Sequence, residues 1–293
     1  MSEAMLKPPP KRYPIDQSRL FRLNGKEKFK SLIGIDWDAV APLLISNPYR
    51  VWLNEKKREI QQPTGKLDAV HRRIGDLLSR IRLPEYVYSQ KGRSYADNAR
   101  QHLGATPLIK TDIHKFYPST TWHMVNNMFL DDFQCPRDVA KHLADICCYK
   151  QAHLPTGSAV SGRIAFLAAR PMFDELDKTV SAHECFMSVY VDDITISGNN
   201  ASKLLLGKVR EIVHKHGLLT KEEKSKTYAA ADAKPVTGAV IAAGELRLPN
   251  ERHKRIHEVR KELAVAPDIE KPHIQRVLRG RLQEAKQILK QRG

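Results

Sequence analysis

The chain has 293 residues, with 49 Lys plus Arg against 33 Asp plus Glu and a formal net charge of +16. That length can bury a sizeable core as one large domain or two to three smaller ones, which rules out a peptide or a fibre. The cationic excess makes nucleic acid the leading partner, and the lack of any apolar run of about 18 residues rules out a membrane-spanning helix. The opening MSEAMLKPPPKRYP lacks the apolar core of a signal peptide, so a cytoplasmic protein with no membrane partner is expected. Cys135, Cys147, Cys148 and Cys185 have neither C-x-x-C spacing nor a nearby His pair, which favours reduced core thiols over a structural zinc site.

Along the chain, KPPPKRYP (Lys7 to Pro14) combines prolines with like charges and is expected to form a mobile arm. FKSLIGIDWDAVAPLLIS carries apolar residues at helical intervals. KLDAVHRRIGDLLSRI does so more clearly, through Val70, Ile74, Leu77, Leu78 and Ile81, with Arg72, Arg73 and Arg80 on the wet side. Between them VWLNEKKREIQQPTG reads as a hairpin stopped by Pro-Thr-Gly. The middle third gives a strand at TPLIKTDI, helical material from His123 to Cys148, a loop KQAHLPTGSAVSG, a helix RIAFLAARPMFDEL and paired strands around Asp192. A helix KLLLGKVREIVHKHG then precedes a strand near KPVTGAVIAAG. The tail from Glu251 to Gly293 reads as two helices broken at APDIEKP, and its 12 Lys plus Arg against 6 Asp plus Glu suit it to gripping a backbone. This order predicts an α+β fold, with helices laid on one face of a small, mostly antiparallel sheet.

Two adjacent acids interrupt the apolar run SVYVDDITISG, Ser188 to Gly198. SVYV and ITIS read as short strands, which sets Asp192 and Asp193 as a two-residue turn at a hairpin tip. A solvated turn that discourages edge pairing is the alternative. A third acid, Asp112, ends the strand in TPLIKTDIHKFYPST and is followed by Phe116 and Tyr117. Two strands delivering carboxylates from a basic chain suit Mg²⁺, a hard cation that takes oxygen ligands and substrate phosphates. A pair of such ions about 3.5 to 4 Å apart serves phosphoryl transfer. Without a cation, clustered acids repel one another and an anionic substrate.

Asp112 in DIHKFYPS, the loop LPTGSAVSG and YVDD stand in the order, and at about the spacing, of the palm motifs of reverse transcriptases. The resemblance runs from about Glu55 to Glu251. Within that superfamily the chain resembles the bacterial retron enzymes through Asn98, Ala99 and His102 of an N-A-x-x-H element and Val236, Thr237 and Gly238 of a V-T-G element. ICCYKQAHLPTG also resembles them, which makes Cys147 and Cys148 packing residues.

The resemblance implies a right-hand polymerase with a ferredoxin-like palm sheet, helical and hairpin fingers and a small helical thumb. An N-terminal arm and fingers would span 1–105, the palm 106–243 with a fingers segment around 120–153, and the primer grip and thumb 244–293. It implies an RNA-directed DNA polymerase that copies a structured noncoding RNA with deoxynucleoside triphosphates and two Mg²⁺ ions. Priming from an RNA 2′-hydroxyl, an RNA–DNA hybrid product, antiphage defence and an effector-protein partner belong to the same implication. Asp112, Asp192, Asp193 and the backbone of Ile113 match the metal site, with Asp193 the less directly coordinated acid. Tyr117 falls where an aromatic excludes ribonucleotides, with a core tyrosine as the other reading. Backbone N–H groups of Thr156, Gly157 and Ser158 would line nucleotide and template.

Lys56 and Arg58 in KREIQQP match triphosphate clamps, with an exposed basic hairpin as the alternative. In KEEKSKT, Lys226 best matches the lysine that protonates leaving pyrophosphate; Lys224 is the substitute, and a solvated charge run the bland reading. Asn98, His102, Val236, Thr237 and Gly238 are assigned to RNA recognition, and GELRLPN, Gly244 to Asn250, to the primer grip. Three departures from the family pattern stand out. Thr156, Ala159 and Gly162 alter the glycine loop, Val191 replaces a more usual Ala, and Tyr117 replaces a more frequent Phe. Two rival readings are another defence-associated or group II intron-like reverse transcriptase, and a catalytically silent RNA-binding scaffold; the three acids argue against the second.

Overall fold

The computed structural model describes residues 12–289. In chain order the elements begin with α1 (Lys26–Ile33), α2 (Val40–Ile45), β1 (Tyr49–Leu53), β2 (Glu59–Pro63), α3 (Gly65–Ser79), α4 (Tyr95–Arg100), β3 (Leu108–Asp112), α5 (Phe116–Ser119), α6 (Trp122–Asn127), α7 (Arg137–Cys147), α8 (Ser161–Ala168) and α9 (Arg170–Ala182). They continue with β4 (Phe186–Tyr190), β5 (Asp193–Ser197), α10 (Lys203–Lys215), β6 (Lys226–Tyr228), β7 (Lys234–Val236), β8 (Ala239–Ala242), β9 (Glu245–Arg247), α11 (Asn250–Val265) and α12 (Lys271–Leu289). Within the described residues they fall into two compact units, 12–84 with 115–173, and 85–114 with 174–289.

In the first unit, the stretch expected as one helix from Phe29 onward is divided. Gly34 takes a left-handed φ of 84° and its N–H closes on Lys30 O at 2.8 Å, a stop that glycine adopts without strain. Helix α3 buries Leu67, Val70, Ile74, Leu77 and Leu78 along one face, each worth about 1.5–3 kcal/mol. Ile81 lies beyond it and pairs in parallel with Tyr13, whose N–H reaches Arg80 O at 3.0 Å. The expected mobile arm therefore has a packed C-terminal end; its residues 7–11 lie outside the described residues. Strands β1 and β2 form the anticipated antiparallel hairpin, from Tyr49 opposite Pro63 to Leu53 opposite Glu59. RIAFLAARPMFDEL, expected as one helix, is broken at Ala169 between α8 and α9.

The second unit holds a four-stranded antiparallel sheet in the order β4-β5-β3-β6. Alternation divides its side chains into two faces. Ile109, Met187, Val189, Ile194 and Ile196 share one face and are fully buried or nearly so. Lys110, Asp112, Ser188, Asp193, Thr195 and Ser197 share the other. The region near KPVTGAVIAAG is not one strand but a hairpin, β7 and β8, extended by β9. Its turn is Thr237-Gly238, with φ of 40° and 84°, the pair of positive angles that two-residue hairpins favour. Helix α4, opened by a Ser94–Asp97 capping box, lays Ala96 and Ala99 into a core shared with Val236, Ile241, Ile256 and Ile288. All four cysteines are buried and free, and burial pushes the Cys148 thiol up to about 12. No helix among the described residues is long and apolar enough to cross a membrane.

Candidate active site

Asp112 ends β3 and stands directly opposite Asp193, the first residue of β5. The closing pair of the β4–β5 hairpin is Tyr190 with Asp193, so the two turn residues are Val191 and Asp192. The expected Asp192-Asp193 tip is thus corrected by one position, because Asp193 is already inside the ladder. Val191 adopts φ 62°, a left-handed geometry that costs a β-branched residue about 1–3 kcal/mol. The turn is tied to β3 through Ile113 N–H, which donates to Asp192 O at 2.9 Å. Lys221 N–H donates to Asp112 O at 2.7 Å. Acids about eighty positions apart are therefore fixed side by side by backbone hydrogen bonds.

Burial and neighbouring charge raise the cost of ionising Asp192 and Asp193 in this half-closed site. Burial first, then the charge of Asp112, pushes the Asp192 carboxyl up to about 6. Burial also raises Asp193, opposed chiefly by Lys110, whose Nζ lies 2.9 Å from Asp193 Oδ2. Lys224 Nζ is paired with Asp112 Oδ2. Asp192 makes no ion pair among the described residues, and Asp193 Oδ1 is buried without a hydrogen-bond partner. No group of three His, Cys, Asp or Glu side chains is drawn together as a metal cage among the described residues. Two of the acids instead rest on lysines. A surplus negative charge and an orphaned buried oxygen both suit a divalent cation with oxygen ligands. Asp112, Asp192 and Asp193 with the adjacent Ile113 backbone are the donors that fit it.

The structure relocates several expected residues. Lys226 is an exposed β6 residue opposite Lys110, while the lysine of that segment paired with Asp112 is Lys224, from the turn Glu222–Lys224. Asn98, His102 and Val236 are at most 1% exposed, so their expected role as RNA contacts is corrected. His102 bonds Ser197 Oγ at 2.8 Å and Ser188 Oγ at 2.6 Å, pinning β5 to β4 from the polar face. Asn98 Nδ2 donates to Thr237 Oγ1 at 3.3 Å, and Thr237 Oγ1 donates to Tyr95 O at 2.8 Å. The N-A-x-x-H and V-T-G elements thus meet internally through Asn98 and Thr237, and of the residues assigned to recognition only Thr237 and Gly238 reach the surface. The Gly244 to Asn250 segment consists of Gly244, β9, Leu248-Pro249 and the first residue of α11.

The other expected residues belong to the first unit. Lys56 and Arg58 are exposed at the β1–β2 turn, where Asn54 Oδ1 accepts both of their backbone N–H groups at 3.0 Å. Thr156 N–H, expected to line substrate, instead donates to Gln61 Oε1 at 2.8 Å. A Cβ on Gly157 would stand 2.8 Å from Gln61 O, so glycine there serves the close passage of β2. Ser158 Oγ bonds His71 Nδ1 at 2.6 Å, and His71 Nε2 reaches Ile146 O at 2.8 Å. Tyr117 is half-buried, its hydroxyl 3.3 Å from where a Cβ on Gly162 would sit. Sequence reasoning missed Lys110, Gln61 and His71. Lys110 had a usable signal: two residues before Asp112, it shares that residue's face of the strand.

Residues 46–257 match the family model described as reverse transcriptase (RNA-dependent DNA polymerase). The retron Ec86 reverse transcriptase of Escherichia coli is 28% identical over 220 residues, 71% of this chain and 68% of that protein. The retron Se72 reverse transcriptase of Salmonella heidelberg is 27% identical over 213 residues, 69% of this chain and 56% of that protein. The retron Mx162 reverse transcriptase of Myxococcus xanthus is 26% identical over 236 residues, covering 68% of this chain and 47% of that protein. The chain thus spans about half to two thirds of the length of these relatives. Among solved structures, an apo telomerase from Candida tropicalis truncated from its C-terminal domain aligns with TM-score 0.48 and 11% identity, over 69% of this chain and 55% of that one. The matched span contains all three carboxylates, Lys110 and Lys224, and the chain belongs to the reverse transcriptases, the RNA-dependent DNA polymerases, with its similarity inside that family to the bacterial retron enzymes.

Proposed function

We propose that this chain copies a structured noncoding RNA into DNA by nucleotidyl transfer at Asp112, Asp192 and Asp193, primed from an RNA 2′-hydroxyl, in the bacterial cytoplasm and in the service of antiphage defence. The observation that carries the polymerase centre is the register of Asp112 opposite Asp193, with Asp192 tied to β3 by the Ile113 N–H. Two Mg²⁺ ions held by these acids and the Ile113 backbone would supply the positive charge that activates the attacking hydroxyl and steadies the leaving oxygen.

The chain's own residues do the rest. Lys224, already against Asp112, is the proton donor to the leaving pyrophosphate, a contribution of about 10²- to 10⁴-fold. Tyr117, held against the Gly162 backbone, crowds the sugar 2′ position and selects deoxynucleotides. Lys56 and Arg58, on an exposed turn, clamp the triphosphate. The basic α11–α12 tail grips the RNA through its backbone and exposed loops, with the finished RNA–DNA hybrid and an effector protein as later partners. The fingers, palm and thumb reading of 1–105, 106–243 and 244–293 rests on the family, and the polar sheet face within 106–243 supports the palm assignment.

Purified protein given an annealed RNA template, a primer, deoxynucleotides and Mg²⁺ should extend the primer, and Asp192→Asn should abolish extension while the fold persists. Equal extension by the variant contradicts the mechanism. Sequencing copurified nucleic acid tests the priming step: a branched RNA–DNA species is expected, and a linear product alone counts against a 2′-hydroxyl primer.

A further inference from the structure

The polar face of the sheet carries a cation that the motifs leave unassigned. Lys110 lies on β3 two residues before Asp112, so both side chains leave the same face. Its Nζ sits 2.9 Å from Asp193 Oδ2, with the two side chains 19% and 17% exposed. Asp193 faces Asp112 across the ladder, and like charges placed directly opposite destabilise a strand pair. The second oxygen of Asp193, Oδ1, is buried and has no partner.

Two lysines serve this pair of acids, and they differ in mounting. Lys224 reaches Asp112 from a short turn and is 43% exposed. Lys110 rises from a strand paired on both sides, opposite Thr195 of β5 and Lys226 of β6, so its backbone is fixed by two ladders. A side chain rooted in that way can set the orientation of its partner carboxylate, as the hydrogen-bond partners of metal ligands commonly do.

We propose that Lys110 is a positioning residue of the polymerase centre: by holding Asp193 Oδ2 it fixes the orientation of that carboxylate opposite Asp112 and reserves Oδ1 for a divalent cation. This rests on the reading of the three acids as the metal-binding group. Lys110 touches no reacting atom and acts through Asp193 alone.

The test compares the full chain with Lys110→Met, Lys110→Arg, Asp193→Asn and the double variant Lys110→Met/Asp193→Asn. Mn²⁺ binding is titrated by electron paramagnetic resonance without nucleotide, and primer extension is followed across Mg²⁺ concentrations. Lys110→Met should weaken Mn²⁺ binding, and raise the Mg²⁺ needed for half-maximal extension, by about 10- to 100-fold. Lys110→Arg should restore most of both. In the Asp193→Asn background, Lys110→Met should add roughly twofold or less, because the coupled partner is gone. Melting curves identify folded variants, and the double variant, which removes both charges, keeps the comparison open if Lys110→Met alone unfolds. Unchanged Mn²⁺ binding in folded Lys110→Met, or an undiminished effect in the Asp193→Asn background, overturns the proposal. A wild-type chain that neither binds Mn²⁺ nor extends a primer overturns the polymerase reading and this proposal together.

Discussion

The two ends of one sheet face obey opposite rules. At the end near Ser197, His102 bonds a serine on each ring nitrogen, so the imidazole and both serine hydroxyls have partners. At the end near Asp193, two acids oppose each other, one oxygen is orphaned, and the turn holds a valine at a positive φ. The first arrangement is what a buried polar network needs in order to stabilise a fold. The second is unfavourable for stability and makes sense where a cation and a substrate supply what the protein withholds. Satisfied and unsatisfied polar groups lie on the same strands, so burial alone does not separate structure from chemistry.

Acid should sharpen this contrast most. Burial holds His102 down to about 3 and His71 down to about 4, so the folded chain keeps both neutral while the unfolded chain protonates them near 6.5. The unfolded state binds more protons below pH 6.5, and stability is lost as pH falls from there toward the folded values. At pH 5 the loss is about 2 kcal/mol for each histidine. Denaturant melts at pH 7.5 and pH 5 would measure it, and in His102→Gln the loss should be about 2 kcal/mol smaller than in the unaltered chain.

Next in size, His102→Ala leaves two buried serine hydroxyls unpaired and opens a cavity. It should cost about 3 kcal/mol by urea titration at neutral pH. Asp192→Asn should act in the reverse sense, raising stability by about 3 kcal/mol while ending extension. Its carboxyl titrates near 6 in the fold against about 3.9 unfolded, so the penalty is complete above pH 6 and disappears as pH falls toward 4. A melting comparison at pH 7.5 and pH 4 reads both limits. The smallest effect is expected at Val191→Asn, which places a residue tolerant of the left-handed region in the turn and should gain about 1 kcal/mol by thermal melting.

The elements that sequence made legible are those set by local pattern. The β1–β2 hairpin, α3, α10 and the two tail helices follow from periodicity and stop signals. Asp112 and the Asp192-Asp193 pair were found as acids at the ends of apolar runs and as motifs of a resembling family. What stayed hidden was register and partnership. Alternation has a period of two and does not say which residues form a two-residue turn, so Val191 was missed as a turn position. Thr237-Gly238 resembles a recognition element because nothing local shows that the Thr237 hydroxyl meets Asn98, 139 positions away. His102 pairs with serines 86 and 95 positions away, and spacing alone cannot foresee that. The choice between Lys224 and Lys226 turned on a single short turn, Glu222–Lys224, too brief for a periodic signal.

Diffraction from crystals soaked in Mn²⁺, recorded at its absorption edge, would locate the cation directly. Anomalous density bounded by the carboxylates of Asp112 and Asp192, with Lys224 displaced from Asp112, is the expected result. Bound Mn²⁺ elsewhere on the chain, with Asp112 still paired to Lys224 and no density beside Asp192, would contradict a metal-dependent centre at this hairpin.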